Sequence, residues 1–249
     1  MKSILDHPLI SQRYFFPRPG SLETPFTVQT TDGELACYYH QPHPDAKVVV
    51  HFHGNGEIVA DYMGGYVQSF EAIGLNCLMA EYRGYGSSTG TPGLVSMLDD
   101  VPAIINALGL PPERIILFGR SLGSIYAIHG ASLFGNIGGL IIESGIGDTR
   151  ERLLLRVSPE EIGSDMETFD REIEKHLSHE KKLKGYKGPL LVMHTRHDGL
   201  LDLYHGENNF KWAQGPKSFK IFEEGNHNNI IAVNAVAYFQ TIQQFTNSL

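Results

Sequence analysis

The sequence has few cysteines and no long apolar run. Its only cysteines, Cys37 and Cys77, are too few and too far apart for a disulfide framework or a zinc site. Cys77 lies in an apolar stretch, which predicts a buried free thiol. No stretch approaches the roughly 18 apolar residues of a membrane span, and the first residues lack the apolar segment of a signal peptide. We therefore expect a cytoplasmic protein without a membrane span.

Positive charge is scarce as well. Lysine and arginine number 20 against 28 aspartates and glutamates, which gives a formal net charge of −8 at pH 7. This balance argues against nucleic acid or an anionic membrane as the main partner. Hydrophobic residues make up 41% of the chain and charged residues 19%, so the composition is that of a folded globular protein. A length of 249 residues fits a single domain, whereas two full domains would be cramped.

Short apolar runs alternate with longer amphipathic ones along most of the chain. We predict strands at residues 26–31, 35–41, 47–53, 75–82, 114–118, 139–143, 189–194 and 218–222. We predict helices at residues 58–72, 94–108, 121–134, 203–213 and 229–245. Repeated strand–helix units imply an α/β fold, with a mostly parallel sheet covered by helices on both faces. Ligands of such sheets bind outside the carboxyl ends of the strands.

Residues 146–187 interrupt this alternation between two predicted strands. They are mostly polar and helical in character, as at residues 165–184, apart from an apolar patch at residues 153–155 that could offer a bound ligand an apolar wall. A connection this long is usually functional or has its own structure, so we predict a small helical cap over the site within a single domain of residues 1–249. A pair of surface helices beside the sheet would explain the pattern too, and helix packing would explain the apolar patch equally well.

The turn Gly119-Arg120-Ser121-Leu122-Gly123 stands between a predicted strand and a predicted helix. Glycines two positions before and after the serine keep a sharp turn free of clashes, and the strained turn lifts the hydroxyl above the sheet. The Leu122 backbone N–H then points toward whatever binds over Ser121. The pentapeptide also arises by chance in glycine-rich chains, but its place between a strand and a helix favours a nucleophilic serine.

A carboxylate that could orient a catalytic imidazole follows another buried strand. Asp198 comes four residues after the strand at residues 189–194, at the edge of the sheet where Ser121 is expected. Asp202 lies close by, and Glu143, at the end of the preceding strand, is a weaker candidate. Each of these acids, taken alone, could equally be a helix cap or a solvated loop residue.

His227 is the strongest candidate for a general base among the twelve histidines. It lies in a polar glycine loop between the last strand and the last helix, and an ordinary imidazole pKa of about 6.5 suits proton transfer at neutral pH. The other candidates share a loop with Asp198, which would leave that acid no distant imidazole to orient. They are His194, His197 and His205.

A second glycine-rich turn follows the strand at residues 47–53. The segment His53-Gly54-Asn55-Gly56-Glu57 lets the backbone curl toward a substrate, so that the Asn55 N–H can act beside that of Leu122. Two such donors are what acyl transfer requires, and losing one typically costs ~10²–10³ in rate. A plain turn with a structural His53 is the simpler alternative.

Together these motifs resemble the α/β-hydrolase superfamily, over residues 27 to 245. The stretches that carry the resemblance are residues 50–56, 81–92, 119–123 and 225–228. Within the superfamily the chain is similar to small serine hydrolases that include protein depalmitoylases and many esterases. The resemblance implies Ser121 as nucleophile, Asp198 as acid and His227 as base, with the Asn55 and Leu122 N–H groups as oxyanion hole.

This combination predicts a serine hydrolase that cleaves small-molecule carboxylic esters or thioesters through an acyl-enzyme. The chemistry needs no metal and no cofactor. A peptidase, an acyltransferase or a carbon–carbon bond hydrolase could use the same three residues. A binding scaffold that has retained the loops without catalysis is a further alternative from a different class.

Overall fold

The computed structural model describes residues 3–249, which contain an eight-stranded sheet. The strands are β1 Phe26–Thr30, β2 Gly33–His40, β3 Val48–Phe52, β4 Asn76–Ala80, β5 Ile115–Arg120, β6 Gly139–Glu143, β7 Leu190–Thr195 and β8 Lys217–Phe222. They lie in the order β1-β2-β4-β3-β5-β6-β7-β8. β1 and β2 form an antiparallel hairpin, and β2 is also antiparallel to β4. All pairs from β4 to β8 are parallel.

The central strands are buried on both faces. In β3, Val48, Val50 and Phe52 pack into one hydrophobic cluster, while Val49 packs into another on the opposite face. The residues of β5 alternate between the same two clusters. A strand covered by helices on both sides has no solvent face, which is why these runs are continuously apolar instead of alternating.

Helices cover both faces of the sheet. They are α1 Pro8–Tyr14, α2 Gly65–Ala72, α3 Asp100–Ala107, α4 Gly123–Leu133, α5 Thr149–Leu154, α6 Met166–Leu177, α7 His179–Gly185, α8 Leu203–Trp212 and α9 Ile230–Thr246. The cluster on one face includes side chains of α3, α4 and α8, and the cluster on the other includes side chains of α2 and α9. The predicted α/β architecture is confirmed. Within the described residues, no helix combines the length and the apolar character needed to cross a bilayer.

Three helices are shorter than predicted. The helix predicted at residues 58–72 is a 3-10 turn, Val59–Tyr62, followed by α2, because Gly64 has a φ of 85° that no helix accommodates. The helix predicted at 94–108 likewise begins as the 3-10 turn Ser96–Asp99 and continues as α3. The helical stretch predicted at 165–184 divides into α6 and α7 at Ser178, whose backbone is extended.

The first segment that the structure describes, including α1, packs against the rest of the fold. Leu5, Ile10 and Phe15 are buried in the larger hydrophobic cluster. α1 begins at a proline, whose fixed φ suits the first helical position, and His7 Nδ1 accepts a hydrogen bond from the Leu9 N–H at 3.2 Å. The apolar residues of this segment therefore contribute to the core.

Residues 146–187 contain α5, α6 and α7. α7 packs against α4 and α8, beside the sheet, and α6 contacts the 3-10 turn Ile4–Asp6. Within the apolar patch, Leu153 is buried, whereas Leu155 is 62% exposed. Part of the segment thus packs as a surface helix pair would, and its action as a cap stays a prediction. The predicted free thiol of Cys77 is confirmed as buried and unpaired.

Candidate active site

Ser121 occupies a sharp turn between β5 and α4. Its φ of 50° lies in the left-handed region, which is strained for a residue other than glycine. A Cβ on Gly119 would lie 2.6 Å from Ser124 Cα, and a Cβ on Gly123 would lie 2.0 Å from the backbone oxygen of Phe52. Both positions therefore require glycine because the backbone packs too closely for any side chain.

Hydrogen bonds hold the turn in this strained conformation. The Ser121 N–H donates to the Glu143 carbonyl of β6 at 2.9 Å, which extends the strand pairing through the serine. The Ser121 carbonyl accepts from the Ser124 N–H at 3.1 Å and from the Ser124 hydroxyl at 2.6 Å. The Ser124 hydroxyl oxygen in turn accepts from the Ile146 N–H at 2.9 Å. The turn is thereby attached to the chain that follows β6.

The three predicted side chains meet at the edge of the sheet. His227 Nε2 lies 2.9 Å from Ser121 Oγ, and His227 Nδ1 lies 2.8 Å from Asp198 Oδ2. The other carboxylate oxygen, Asp198 Oδ1, accepts from the N–H groups of Leu200 at 2.9 Å and Leu201 at 2.8 Å. The Asp198 and His227 side chains are largely buried.

The charge of Asp198 determines which imidazole nitrogen faces the serine. Burial acts to raise its pKa, but the hydrogen bond and charge of His227, together with two backbone N–H donors, lower the pKa to about 2. An ionised carboxylate only accepts hydrogen bonds, so His227 Nδ1 donates to it. The lone pair on Nε2 is then directed at the Ser121 hydroxyl, as a general base requires.

The rival acids have other contacts. Glu143 Oε1 lies 3.0 Å from Arg120 Nη1, and Glu143 Oε2 accepts a hydrogen bond from the Tyr238 hydroxyl at 2.6 Å. Asp202 is the N-cap residue of α8. Of the candidate acids, Asp198 is the one that contacts His227 Nδ1.

The rival histidines are engaged elsewhere or exposed. His194 Nε2 lies 2.8 Å from the Leu201 carbonyl, with Asp198 Oδ2 more distant at 3.6 Å. His205 Nδ1 accepts from the Gly147 N–H at 3.2 Å. His197 is exposed on the surface. Of these imidazoles, only His227 is bonded to Ser121 within the described residues.

The two predicted oxyanion donors line the same cavity as Ser121. Neither the Asn55 N–H nor the Leu122 N–H has an acceptor within residues 3–249. The Asn55 side chain holds its turn in place, because Oδ1 accepts from the Phe16 N–H at 3.1 Å and from the Tyr85 hydroxyl at 2.9 Å. The arrangement leaves both N–H groups available to a developing oxyanion, and their catalytic role stays a prediction.

The cavity at Ser121 has a volume of about 150 Å³, below the ~300–1,000 Å³ of sites for drug-sized ligands. Polar and apolar side chains share its wall. Besides the groups already described, it is lined by Tyr14, Phe16, Ile146, Arg152, Arg156, Leu200, Leu201 and Asn228. Within residues 3–249, no three histidine, cysteine, aspartate or glutamate side chains are grouped so as to hold a metal ion.

The chain is similar to known hydrolases. The serine aminopeptidase S33 family matches residues 42–158. Alpha/beta hydrolase domain-containing protein 17B of Homo sapiens is 25% identical over 235 residues, which cover 89% of this chain and 74% of that protein. An esterase of Pyrococcus furiosus superposes with a TM-score of 0.71 at 17% identity, over 94% of this chain and 98% of its own. A monoacylglycerol lipase of Paleococcus ferrophilus superposes with a TM-score of 0.66 at 18% identity, over 86% and 98%. The chain belongs to the α/β-hydrolase superfamily.

In this α/β hydrolase, the sheet places three loops at one edge. Ser121 directly follows β5, Asp198 comes three residues after the end of β7, and His227 comes five residues after the end of β8. Because β5, β7 and β8 are parallel, their carboxyl ends lie at the same edge of the sheet. Residues far apart in sequence therefore meet in space.

Arg120 is a residue of the hydrolase site that sequence reasoning missed. Its guanidinium is bonded to Glu57 Oε1 at 2.9 Å and to Glu143 Oε1 at 3.0 Å, and Nη1 donates to the His227 carbonyl at 3.1 Å. Burial acts to lower the Arg120 pKa, but the two carboxylates outweigh it and hold the pKa above its ordinary value. A charged residue at the end of a buried strand needs buried partners. The position of Arg120 in the sequence could therefore have indicated carboxylates close to Ser121.

His53 has the structural role that the sequence allowed. Its Nε2 lies 2.7 Å from Glu81 Oε1, and both side chains are fully buried. Glu81 Oε2 accepts from the Val59 N–H at 2.9 Å, and the His53 carbonyl accepts from the Tyr82 hydroxyl at 2.7 Å. These bonds fix the start of the turn that carries Asn55.

Four further residues of the cavity were not anticipated. Tyr14 and Phe16 come from the first segment of the chain, and nothing in their local pattern indicated the site. Arg152 and Arg156 come from the segment between β6 and β7, and their spacing of four is a signal that could have been used. The leucines at 153–155 are not among the residues that line the cavity.

Proposed function

We propose that this α/β hydrolase is a serine hydrolase that cleaves carboxylic esters or thioesters through a covalent acyl-enzyme. The observation that carries the proposal is the continuous contact from Asp198 through His227 to Ser121, at 2.8 and 2.9 Å, beside a cavity. Nucleophilic catalysis by serine needs a base within hydrogen-bond distance and a third group to orient that base. In this proposal Ser121, His227 and Asp198 fill these three roles.

In the acylation step, His227 Nε2 takes the Ser121 hydroxyl proton as Oγ attacks the acyl carbon. Asp198 stabilises the imidazolium that forms and keeps Nδ1 as its donor partner. The N–H groups of Leu122 and Asn55 stabilise the oxyanion, and each is expected to contribute ~10²–10³ in rate. His227 then gives the proton to the leaving alcohol or thiol.

In the deacylation step, water replaces the leaving group. His227 takes a proton from this water, the resulting hydroxide attacks the acyl-enzyme, and the carboxylic acid leaves as Ser121 recovers its proton. The strained backbone at Ser121 keeps Oγ exposed to the cavity throughout. We further propose that residues 146–187 act as a small cap, because this segment contributes Ile146, Arg152 and Arg156 to the cavity wall.

A serine aminopeptidase is the second candidate, because residues 42–158 match the serine aminopeptidase S33 family. An aminopeptidase must accept a substrate with a free ammonium group, which calls for an available carboxylate near the serine. Glu57, a carboxylate of the cavity wall, is already paired with Arg120. The guanidinium groups of Arg152 and Arg156 would repel an ammonium group. Ester or thioester cleavage is therefore favoured.

The test combines active-site labelling with turnover. A fluorophosphonate probe should label Ser121 in folded protein, and para-nitrophenyl acetate should be hydrolysed. Both reactions should disappear in Ser121→Ala and persist in Ser132→Ala, which removes an exposed serine of α4. Absence of labelling in folded wild-type protein would contradict the proposal. A chain-length series of acyl esters and thioesters, with an amino-acid para-nitroanilide for comparison, then separates ester, thioester and peptidase activity.

A further inference from the structure

Two arginines of the segment between β6 and β7 line the cavity that contains Ser121. Arg152 lies in the last turn of α5, and Arg156 follows just beyond that helix. Both lie near the phenol of Tyr14, another cavity residue. Burial raises the pKa of Tyr14 to about 12, and the positive charges of the two guanidinium groups act against this increase. The two positive charges are therefore concentrated on one wall of the cavity.

Neither arginine has an anionic partner. Within residues 3–249, the guanidinium groups of Arg152 and Arg156 make no ion pair with a carboxylate. The chain has an excess of acidic residues, so partners are plentiful elsewhere. Six other arginines do have a carboxylate partner: Arg13, Arg18, Arg83, Arg120, Arg150 and Arg196. Arg114 and Arg171 also lack a carboxylate partner, but Arg114 donates to backbone carbonyls and Arg171 donates to Thr168 Oγ1. Within residues 3–249, the two guanidinium groups without a hydrogen-bond partner are those of Arg152 and Arg156, and both residues line the cavity at Ser121.

Apolar side chains stand beside these charges. Phe16 and Leu200 line the cavity and are 46% and 52% exposed, so apolar surface is accessible at its mouth. The Arg156 guanidinium lies 5.7 Å from the centre of the Phe16 ring, a contact that holds a flexible side chain in place. The cavity thus presents a positively charged wall next to an apolar surface.

We infer that Arg152 and Arg156 bind an anionic group, a carboxylate or a phosphate, on a small ester substrate whose reacting carbonyl lies at Ser121. The inference rests on the proposed function for the reaction and adds the class of substrate. Guanidinium groups bind carboxylate and phosphate oxygens through paired N–H donors, which gives orientation as well as affinity. Because Arg156 is exposed, added salt should weaken the preference for the anion.

The experiment compares esters that differ only in charge. One pair, meta-carboxyphenyl butyrate and meta-carbamoylphenyl butyrate, carries the difference on the alcohol side. A second pair, mono-para-nitrophenyl adipate and para-nitrophenyl adipamate, carries it on the acyl side. A third anionic ester, meta-phosphonophenyl butyrate, separates a phosphate-type ligand from a carboxylate. The quantity measured is the ratio of kcat/KM for the anionic ester to kcat/KM for its neutral counterpart.

Four variants accompany the wild-type protein: Arg152→Gln, Arg156→Gln, the double glutamine variant and the double lysine variant. Arg150→Gln is the matched control, because Arg150 belongs to the same helix but is paired with Asp170 outside the cavity. The wild-type ratio should exceed one for at least one pair. It should fall about tenfold for each arginine removed, as expected for the loss of a hydrogen bond to a charged group. The double lysine variant should retain part of the preference, and Arg150→Gln should retain all of it.

The inference is overturned if the wild-type ratio is near one for both pairs, or if the glutamine variants keep the wild-type ratio. A wrong proposed function would give another result, because neither the anionic nor the neutral esters would be cleaved and Ser121 would not be labelled. In that case calorimetric binding of meta-carboxyphenyl butyrate to the Ser121→Ala protein decides the question. Weaker binding after both arginine-to-glutamine substitutions supports the anion site, and equal binding refutes it.

Discussion

Replacing Arg120 with methionine removes the central cation of a buried network without changing the length of the side chain greatly. The guanidinium is bonded to Glu143 at 3.0 Å and to Glu57 at 2.9 Å. The Glu143 side chain is fully buried, whereas 25% of the Glu57 side chain is exposed. The substitution therefore leaves one carboxylate uncompensated in the interior and another that water can reach.

The expected loss of stability follows from this difference in burial. Removing one partner of a buried ion pair typically costs about 3–5 kcal/mol, because the remaining charge has no compensation. Glu143 keeps one hydrogen bond, from the Tyr238 hydroxyl, so we expect Arg120→Met to cost about 3 kcal/mol, the lower end of that range. Neutralising the orphaned carboxylate should recover part of this loss, so the double variant Arg120→Met/Glu143→Gln should be more stable than Arg120→Met.

Urea unfolding measures these differences. The single tryptophan, Trp212, provides a fluorescence signal, and circular dichroism should give the same transition if unfolding is two-state. Arg196→Met is the control, because the Arg196–Glu223 pair is exposed to solvent and its loss should change the free energy of unfolding little. The reasoning fails if Arg120→Met is no more costly than Arg196→Met. It also fails if the change in the free energy of unfolding of the double variant equals the sum of the changes caused by Arg120→Met and Glu143→Gln alone.

Three further predictions concern the turn at Ser121 and the Asp198 carboxylate. Gly123→Ala should cost at least about 3 kcal/mol in urea unfolding, because its Cβ would lie 2.0 Å from the Phe52 carbonyl, whereas Gly185→Ala, with open space around its Cβ, should be close to neutral. Ser121→Gly should be more stable than Ser121→Ala by about 1 kcal/mol in thermal unfolding, since glycine relieves the strain of a φ of 50°, and equal melting temperatures would argue against strain. The Asp198 pKa of about 2 lies below the ordinary value, so its stabilisation, about 2 kcal/mol, is complete above about pH 4 and lost as the pH falls toward 2. Asp198→Asn should therefore show a shallower loss of stability than the wild type over that interval, and parallel curves would contradict this assignment.

The meeting of Ser121, Asp198 and His227 could be predicted from the sequence because each follows a predicted strand. Strands that alternate with helices predict a parallel sheet, and parallel strands bring their following loops to one edge. Helix boundaries were less predictable. The backbone at Gly64 takes a positive φ inside a stretch whose apolar spacing is helical, and spacing does not report the conformation of a glycine.

The surroundings of the serine were harder to predict than the serine itself. Arg120 was visible as a charge at the end of a buried strand, but its partners Glu57 and Glu143 lie on other segments and no local pattern connects them. Phe16 reaches the cavity because its N–H is bonded to the Asn55 side chain, a long-range contact. The local sequence pattern therefore predicts which polar residues lie at the ends of strands. It does not predict the shape of the cavity, because segments distant in sequence form much of the wall.

The Asn55 side chain connects the first segment of the chain to the turn after β3. It binds the backbone of Tyr14 and Phe16 on one side and belongs to the turn beside Ser121 on the other. Ser121, Asp198 and His227 lie at the edge of the sheet, whereas part of the cavity wall comes from the segment that contains α1 and from the segment between β6 and β7. Exchanging those two peripheral segments between relatives would therefore change the cavity wall while leaving the contacts among Ser121, His227 and Asp198 in place.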